Sequence, residues 1–443
     1  MRRFFIAALS ILIPLGCAAG IFDRGKVSYI KYVNPFVGTD FHGHTFPGAA
    51  YPFGMIQLSP DTRTDNWDGC SGYHYSDSTI WGFSHMHLSG TGCADYCDLL
   101  VMPVVDYQAF VTAMEQEAGR EMGDFPHDYI FNEYYESPFS HLDEKASPGY
   151  YGVYLERWRV QADLSVGRRS AMHKYMFPKG VEPQLVIDLE HRDKVLDSHI
   201  KQEGHNAISG RRRSQSWAQD QDLYFYMEFS RPIKFAQIVG EDGYGAKALI
   251  TFKKWFFSRE LYVKVGISSV SVENARANVS SEIKRWHFAE VKYKAEKAWN
   301  EYLSKIEVEG DHDLMEVFYT ALYHTAIAPN LYSDVNGEYR GMDRKVHKAE
   351  GYERYTVFSL WDTFRSLHPL LTLIERERTV DFIRSFLSIY EEAGKLPIWE
   401  LAGNETNCMI GYHSVPVIAD ALVKGIEGFD ANAALDAMIE SSR

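Results

Sequence analysis

The chain has 443 residues, of which 45 % are hydrophobic and 24 % are charged, so its composition is that of a folded protein and excludes a disordered one. A formal net charge of −14 argues against a nucleic-acid partner, because phosphate binding requires a basic surface. Aromatic residues make up 14 % of the chain and supply flat faces that can stack on sugar rings, although we expect most of them in the core.

The N-terminal segment has the order of a secretory signal. Arg2 and Arg3 precede an apolar run, residues 4–15, that is too short to span a membrane, and small residues follow it. We therefore predict a signal peptide over residues 1–20 and an exported protein without a transmembrane segment. The residues up to Cys17 also resemble a bacterial lipobox. Simple cleavage and a lipid anchor at Cys17 both stay open, with the periplasm, the outer membrane or the bacterial cell surface as the destination.

Residues 27–285 are predicted to form an antiparallel β-sandwich. Short alternating or β-rich runs are separated by Gly, Pro, Asn or Asp turns, without helical patterns between them, which favours two packed sheets. The acidic and aromatic stretch 107–141 differs, and we predict a short helix leading into an insertion or long loop. The basic run 211–213 is predicted to be a solvated turn. The strand runs are 99–105, 151–166, 185–189, 223–229 and 261–267.

The period of the hydrophobic pattern changes after the predicted sandwich. Residues 287–303 carry apolar side chains at helical spacing, which predicts an amphipathic helix within a linker, residues 286–310. Beyond Asp311 the pattern predicts helices with loops between them, as in an array of α/α hairpins over residues 311–443. The predicted helices are 314–329, 362–375, 379–394, 414–424 and 431–441, the last with Asp430 as its N-cap.

The stretch 33–103 is dense in Gly, His, Asp, Trp, Tyr and Cys, and its turns indicate loops that face a ligand. It contains two His-x-His pairs, and each pair could form half of a metal site with a nearby Asp. The simpler interpretation, which we favour, is that these rings hydrogen-bond loop backbone or a ligand hydroxyl. The residues concerned are His42, His44, His85 and His87, with Asp40, Asp95 and Asp98.

Four cysteines follow the predicted signal segment: Cys70, Cys93, Cys97 and Cys408. Their spacing fits neither a zinc ribbon nor a dense disulfide scaffold, although export permits disulfides. A local bond between Cys93 and Cys97 and a set of free buried thiols remain equal alternatives.

Three groups of residues are candidates for chemistry. Trp67 and Asp68 pair an aromatic face with a carboxylate, which is typical of sugar binding, but a Trp before a turn is as often a core residue. Asp362 and Arg365 share one face of a predicted helix, either in a site or as a surface ion pair. Trp399 and Glu405 lie in a crowded loop and are both candidates for substrate binding, and Glu405 is also a candidate general acid or, alternatively, a helix cap. No nucleotide-binding, nucleophile-elbow or zinc-protease motif is present in the sequence.

Long segments of the sequence resemble glycoside hydrolase family 92, the calcium-dependent exo-α-mannosidases. They include VNPFVGTDFHGHTFPGAAYPFGMIQLSPDT, WDGCSGYHYSDSTIWGFSHMHLSGTGCADYCDLLVMP, YTVFSLWDTFRSLHPLL and LPIWELAGNETNCMIGYHSVPVIADA. The resemblance implies a β-sandwich joined by a helical linker to an α/α barrel, of which residues 311–443 would be the first part. It also implies hydrolysis with inversion by a carboxylic acid and a carboxylate, and a calcium ion that binds hydroxyls of the terminal mannose.

Carried over to this sequence, the resemblance places Trp67 on the leaving-group side of the pocket and Asp362 on hydroxyls of the terminal sugar. The family's later motifs, which carry its acid, its base and most calcium ligands, are absent before Arg443. No catalytic residue and no metal ligand is therefore assigned, and Glu405 is only a pocket-lining candidate. We expect a truncated α-1,2-mannosidase-like chain that does not release mannose from glycans. A secreted, non-catalytic glycan-binding protein is the alternative.

Overall fold

The computed structural model describes residues 28–117, 134–239, 246–254 and 258–443. The predicted signal peptide with Cys17 lies outside these residues, and so does part of the predicted 107–141 insertion. The short helix predicted at the start of that insertion is confirmed, at Tyr107–Glu117. Within the described ranges, no helix is both long and apolar enough to cross a membrane.

Strands dominate the chain up to residue 268, as the sequence pattern predicts. They include all five predicted runs, and the run 151–166 forms two strands joined by a turn. The strands are β1 Ala49–Ala50, β2 Gln57–Asp61, β3 Thr79–Ile80, β4 Gly82–Ser84, β5 Leu100–Val105, β6 Ser137–Pro138, β7 Lys145–Ser147, β8 Tyr150–Leu155, β9 Val160–Val166, β10 Ser170–Met176, β11 Pro183–Asp188, β12 Lys194–Glu203, β13 Ala207–Gln215, β14 Gln221–Phe229, β15 Ile233–Val239, β16 Lys247–Phe252 and β17 Glu260–Ser268.

Most of these strands form two antiparallel sheets. The described strands of the first sheet follow the order β1-β2-β4-β5-β11-β16-β15, and those of the second follow β12-β13-β14-β17-β10-β9-β8-β7. Strands such as β9 alternate between buried and half-buried residues, so one face of each pleated sheet can enter the core.

The two sheets pack against each other through aromatic and imidazole rings. Phe83 of β4 lies with its ring centroid 6.4 Å from that of Tyr175 on β10 and 6.5 Å from that of Tyr151 on β8. Next to this contact, the Nε2 atoms of His85 and His173 are 3.0 Å apart across the sheets. The observed architecture in this half is therefore a β-sandwich with a shared core.

Helices become prominent after β17, with short strands between them. The helices are α1 Tyr107–Glu117, α2 Val272–Glu282, α3 Phe288–Leu303, α4 His312–His324, α5 Leu360–Thr363, α6 Leu367–Ile374, α7 Arg376–Ala393, α8 Ser414–Val423 and α9 Ala431–Ser441. The later strands are β18 Asn330–Leu331, β19 Glu338–Arg340, β20 Val346–Lys348, β21 Tyr355–Thr356, β22 Phe358–Ser359, β23 Trp399–Leu401 and β24 Asn404–Glu405.

The prediction of helices alone beyond Asp311 was wrong, because strands of two or three residues leave no detectable period in a sequence. The single helix predicted over 362–375 was also wrong. It is split into α5 and α6, and Pro369 is the third residue of α6. Pro is tolerated there because the first N–H groups of a helix have no partner within the helix.

Helix ends follow the capping chemistry of the sequence. Asp430 accepts hydrogen bonds from the backbone N–H groups of Asn432 and Ala433, and α9 has the predicted bounds. Gly394 ends α7 with a φ of 78°, a left-handed conformation that favours glycine. Helix α4 ends at His324, earlier than predicted, with Thr325 as its C-cap.

Helix α3 fastens the helical part to the sandwich. The Trp299 side chain is fully buried, its ring centroid lies 4.4 Å from that of Tyr323 on α4, and its Nε1 donates to the Ala50 carbonyl of β1 at 2.6 Å. One side chain thus contacts the first sheet and a later helix.

Replacing Trp299 by Ala is expected to lower the free energy of unfolding by about 3–5 kcal/mol, because a large buried ring and its hydrogen bond are lost together. Tyr293→Ala on the same helix is the matched control, since Tyr293 is 59 % exposed. Urea unfolding followed by fluorescence measures both variants. Equal losses in the two variants would show that α3 is not fastened through Trp299.

Candidate functional site

Trp67 is an exposed aromatic residue held in place by its neighbours. Its side chain is 53 % exposed, and its Nε1 donates to the Gly92 carbonyl at 3.0 Å. The rings of His42 and His44 lie with centroids 4.8 and 4.3 Å from it. Trp67 is therefore not a core residue, and it presents ring surface to solvent as a stacking residue does.

Asp68 lies beside this ring. Its Oδ1 is 2.7 Å from His42 Nδ1, and this hydrogen bond holds the pKa of Asp68 below its usual value. A fixed carboxylate next to an exposed indole can accept hydrogen bonds from sugar hydroxyls, as the sequence analysis predicts.

The second His-x-His pair does not form the metal site that was one alternative. His85 Nδ1 contacts the Leu99 carbonyl at 2.7 Å, whereas His87 Nε2 contacts Asp61 Oδ1 at 2.6 Å. Asp98 is paired with Arg212 elsewhere in the core. The favoured interpretation, that a His binds loop backbone, is confirmed for His85.

Asp362 is exposed in the short helix α5. Ser359 Oγ donates to its Oδ2 at 2.5 Å, which fixes the carboxylate and leaves the other oxygen for a ligand. Arg365 lies over the Trp361 ring, with Cζ 4.9 Å from the centroid, and donates to the Trp361 carbonyl at 3.2 Å. The alternative of an Asp362–Arg365 surface pair was therefore wrong.

Trp399 and Glu405 are structural residues of a small sheet. Trp399 is 2 % exposed and packs against Trp217 with centroids 4.3 Å apart, so its prediction as a sugar-binding surface was wrong. Glu405 accepts from the backbone N–H groups of Trp399, Ile398 and Asn407 at 2.9–3.0 Å. Glu405 does not cap α8, so the helix-cap interpretation was wrong, whereas its role as a general acid stays a prediction.

The loop 91–95 connects the two halves of the site. The Gly92 carbonyl accepts from Trp67, and the Ala94 carbonyl accepts from Ser216 Oγ at 3.1 Å. Cys93 contacts Cys408 of the helical half. Burial raises the pKa of the Cys93 thiol, and the contact with Cys408 raises it further. Trp67 and the 399–408 segment therefore belong to one continuous region.

The four cysteines within the described residues are free. The alternative of a local Cys93–Cys97 bond was wrong, because Cys97 Sγ accepts from Arg192 Nη1 at 3.0 Å while Cys93 contacts Cys408. The positive φ of 58° at Cys97 belongs to a turn that directs its side chain into the sandwich core, where it is 2 % exposed.

Sequence reasoning missed the network that joins β24 to the sandwich. The Asp220 N–H donates to Asn404 Oδ1 at 3.1 Å, and Asn404 Nδ2 returns a bond to the Asp220 carbonyl at 3.2 Å. Arg340 and Arg344 each donate to the same carbonyl at 2.9 Å. Arg213, through its hydrogen bond, lowers the pKa of Asp220 to about 2, with Arg340 and Arg344 adding to the effect.

The predicted solvated turn at 211–213 was wrong. These residues lie in β13, and alternation sends Arg212 into the core, where it donates to Asp98 and to the Leu189 carbonyl. Arg211 and Arg213, on the other face, pair with Asp222 and Asp220. The acidic residues Asp220 and Asp222 were the only indication in the sequence that the basic run is part of a strand. This indication can be recognised only when the register between β13 and β14 is known.

A surface cavity of about 680 Å³ lies between the ends of β10 and β17, and none of the predicted site residues lines it. Its lining lacks the exposed Trp67 ring and the Asp68 carboxylate. Volume alone therefore does not locate the site.

The cluster of ligand side chains found among the described residues does not suit calcium. The group of three or more ligand side chains found among them consists of Asp61, His87 and Cys97, which offers one oxygen, one nitrogen and one sulfur. Calcium takes six to eight oxygen ligands, so this donor set does not suit it.

Glu400 is the buried carboxyl group of this region. It is fully buried in β23, where Thr356 Oγ1 and the Gly403 N–H donate to Oε1 while Oε2 has no hydrogen-bond partner. Burial raises its pKa to about 7, although the nearby Arg354 opposes this shift.

Replacing Glu400 by Gln is expected to flatten the dependence of stability on pH. Between its ordinary pKa near 4.5 and its folded pKa of about 7, the folded chain keeps a proton that the unfolded chain has released, so wild-type stability falls as pH rises through this range. The variant should gain on the order of 1–3 kcal/mol relative to wild type between pH 5 and 8. Urea unfolding at several pH values measures the change, with pH 4–5 as the internal control. A constant difference at all pH values would contradict it.

Comparison with known proteins identifies the family. Residues 32–268 match the model of the glycosyl hydrolase family 92 N-terminal domain, and residues 274–443 match that of the family's catalytic domain. A family GH92 alpha-mannosidase from Bacteroides thetaiotaomicron is 36 % identical, with a TM-score of 0.85 over 94 % of this chain and 57 % of its own.

Two further relatives agree with this match. A family GH92 inverting mannosidase from the same bacterium is 29 % identical, with a TM-score of 0.79 over 94 % of this chain and 55 % of its own. An uncharacterized secreted glycosidase from Arthroderma benhamiae is 25 % identical over 93 % of this chain and 52 % of its own. The chain spans about half the length of these relatives, and it belongs to glycosyl hydrolase family 92.

Proposed function

We propose that the chain is part of an exported glycoside hydrolase that removes terminal α-linked mannose from glycans with inversion. The main support for this proposal is the exposed Trp67 ring beside the fixed Asp68 carboxylate. The loop 91–95 connects Trp67 to the helical half. A relative has been solved with mannoimidazole, and others are described as an inverting mannosidase and a secreted glycosidase. We take α-1,2-linked mannose as the first substrate to test, and N-glycans as its source.

The exposed residues divide between two parts of a disaccharide. Asp362 accepts hydrogen bonds from hydroxyls of the terminal mannose, and Arg365 donates from the same helical turn. Trp67 stacks on the apolar face of the leaving-group sugar, and Asp68 accepts from its hydroxyls. This division rests on the resemblance and is compatible with the exposure of Trp67, Asp362 and Arg365 and the partial exposure of Asp68.

Inversion needs an acid and a base that face each other across the scissile bond, about 6.5–9.5 Å apart. Glu405 accepts hydrogen bonds from three backbone N–H groups and Glu400 is enclosed in the core, so we assign neither of them as the acid or the base. We assign Glu405 a positioning role. The 443-residue chain is expected to bind mannosides without cleaving them.

Calcium enters the proposal only as a requirement of the active enzyme. The side-chain cluster found among the described residues offers only one carboxylate ligand, so no step is assigned to the ion here. We also propose that the helices after Asp311 form part of an α/α barrel and that export follows from the N-terminal signal, with or without a lipid at Cys17.

A non-catalytic glycan-binding protein is the second candidate. The same exposed Trp67 and Asp362 favour it, because they bind sugar without requiring an acid and a base. The two candidates share the binding site and differ in whether mannose is released.

Binding of α-1,2-mannobiose to the 443-residue chain is expected, and Asp362→Asn should weaken it about 10-fold to 100-fold, because a hydrogen bond to a charged group is worth about 1.5–3 kcal/mol. Trp67→Ala should weaken mannobiose binding while leaving methyl α-mannoside binding unchanged. Titration calorimetry measures both, with Phe235→Ala, an exposed aromatic of β15, as the control.

Mannose release by the same chain, measured with and without EDTA, separates the two functions. We expect none from the 443 residues, and calcium-dependent release from a protein that carries the family's later motifs. Release by the 443-residue chain would overturn the positioning role of Glu405, which would then be the first residue to mutate. Absence of mannoside binding would overturn both candidate functions.

A further inference from the structure

We propose that Cys93 and Cys408 form a disulfide bond that joins the sandwich to the helical half when the chain meets an oxidant. Both residues are free cysteines in this structure. The inference does not depend on whether the chain binds or cleaves mannosides, and it involves none of the residues that we assign to sugar binding.

The two cysteines come from opposite parts of the chain and contact each other. Cys93 lies in the loop 91–95 of the sandwich, whereas Cys408 follows β24 in the helical half. Their thiol groups are joined by a side-chain hydrogen bond. Because a disulfide bond holds its two sulfur atoms about 2.05 Å apart, a contact between two thiols is the arrangement from which it forms.

The turn at residues 216–220 holds the loop that carries Cys93. The Ala94 carbonyl accepts from Ser216 Oγ at 3.1 Å, and Asp95 Oδ2 accepts from the Ala218 N–H at 2.6 Å. These two contacts involve the residues that directly follow Cys93, so they fix the position of the loop on this side of the contact.

The same turn holds the segment that leads to Cys408. The Trp399 ring packs against Trp217 with centroids 4.3 Å apart, and Asn404 Oδ1 accepts from the Asp220 N–H at 3.1 Å. Because one short turn binds both segments, aromatic packing and backbone hydrogen bonds bring the two cysteines together, and the thiols need not do so themselves.

Exposure distinguishes this pair from the other cysteines of the described chain. Cys93 and Cys408 are half-buried, whereas Cys70 and Cys97 are each 2 % exposed. Cys97 Sγ also accepts from Arg192 Nη1 at 3.0 Å. A small oxidant in the solvent can therefore reach the Cys93–Cys408 contact more readily than it reaches the buried thiols.

The bond forms by thiol–disulfide exchange with a low-molecular-weight disulfide, and exported proteins work in compartments where disulfide bonds persist. The thiolate of one cysteine attacks this compound, which gives a mixed disulfide and releases one thiolate. The second cysteine, as a thiolate, attacks the protein sulfur of the mixed disulfide and releases the second. The two protons of the cysteine thiols pass to the released thiolates, so two protein thiols are oxidised while one disulfide is reduced.

The backbone permits this reaction and gives it a structural consequence. Cys93 and Cys408 both lie outside helices and strands, so their sulfur atoms can approach without breaking regular backbone hydrogen bonds. Gly92, the residue before Cys93, accepts from Trp67 Nε1. The bond would thus fasten the support of Trp67 to the helical half, and it would constrain the unfolded chain by closing a long loop.

The test compares the 443-residue chain after treatment with oxidised glutathione and after treatment with dithiothreitol. Cys17→Ser is present in every protein, so that the remaining thiols are the four of the described residues. Oxidation should remove two of these thiols, and mass spectrometry of proteolytic fragments should find Cys93 linked to Cys408. The urea concentration at the midpoint of unfolding should be higher for the oxidised chain than for the reduced chain.

Single substitutions provide the controls. Cys93→Ser and Cys408→Ser should each lose the internal bond, and their unfolding midpoints should not depend on the oxidant. Cys70→Ser is the matched control, because this cysteine is buried and takes no part in the bond. It should keep both the linked fragment and the rise of the midpoint on oxidation.

Several results would overturn the proposal. They are an oxidised chain that keeps four free thiols, glutathione attached to Cys93 without an internal bond, and a fragment that links Cys93 to Cys70 or Cys97. An equal rise of the midpoint in Cys93→Ser would show that the stabilisation does not come from this bond. If Cys93→Ser does not fold, Cys408→Ser carries the same comparison.

Discussion

The two parts of the chain are held in register by the paired hydrogen bonds between Asp220 and Asn404. They join the β13–β14 turn to the short strand β24, although 184 positions separate the residues along the chain. Because the bonds involve backbone atoms of Asp220, and because Arg340 and Arg344 donate to its carbonyl, neither element can shift without breaking several bonds at once. The relative position of the two parts is therefore set by directional contacts.

This junction determines which polar groups remain free for a ligand. Around it, Glu405 accepts hydrogen bonds from backbone N–H groups, and Glu400 accepts them from Thr356 and Gly403. The Trp399 ring packs against Trp217. A side chain that already fills its contacts has none to offer a sugar. The exposed groups, Trp67 and Asp362, are each fixed by one hydrogen bond and keep most of their surface.

The sequence predicted local structure well and distant contacts poorly. Periodicity and capping located α9 and its Asp430 cap, because both signals lie within one helical turn. Arg212 was misinterpreted because its role depends on partners in other elements. A run of basic residues indicates a solvated turn until alternation along β13 places its middle member in the core. The exposed face was predicted through Trp67 and Asp362, and the resemblance to the family supplied their roles.

The density of reactive residues between positions 33 and 103 has two separate physical origins. Trp67 and Asp68 face solvent, where an aromatic face and a carboxylate can exchange contacts with a sugar. Asp61, His87 and Cys97 are enclosed, where the same residue types must satisfy one another or a cation. Burial therefore separates ligand-binding residues from structural ones within a single stretch. Residues that form one cluster in the sequence therefore belong to two groups in the structure, a solvent-facing pair and a set enclosed in the core.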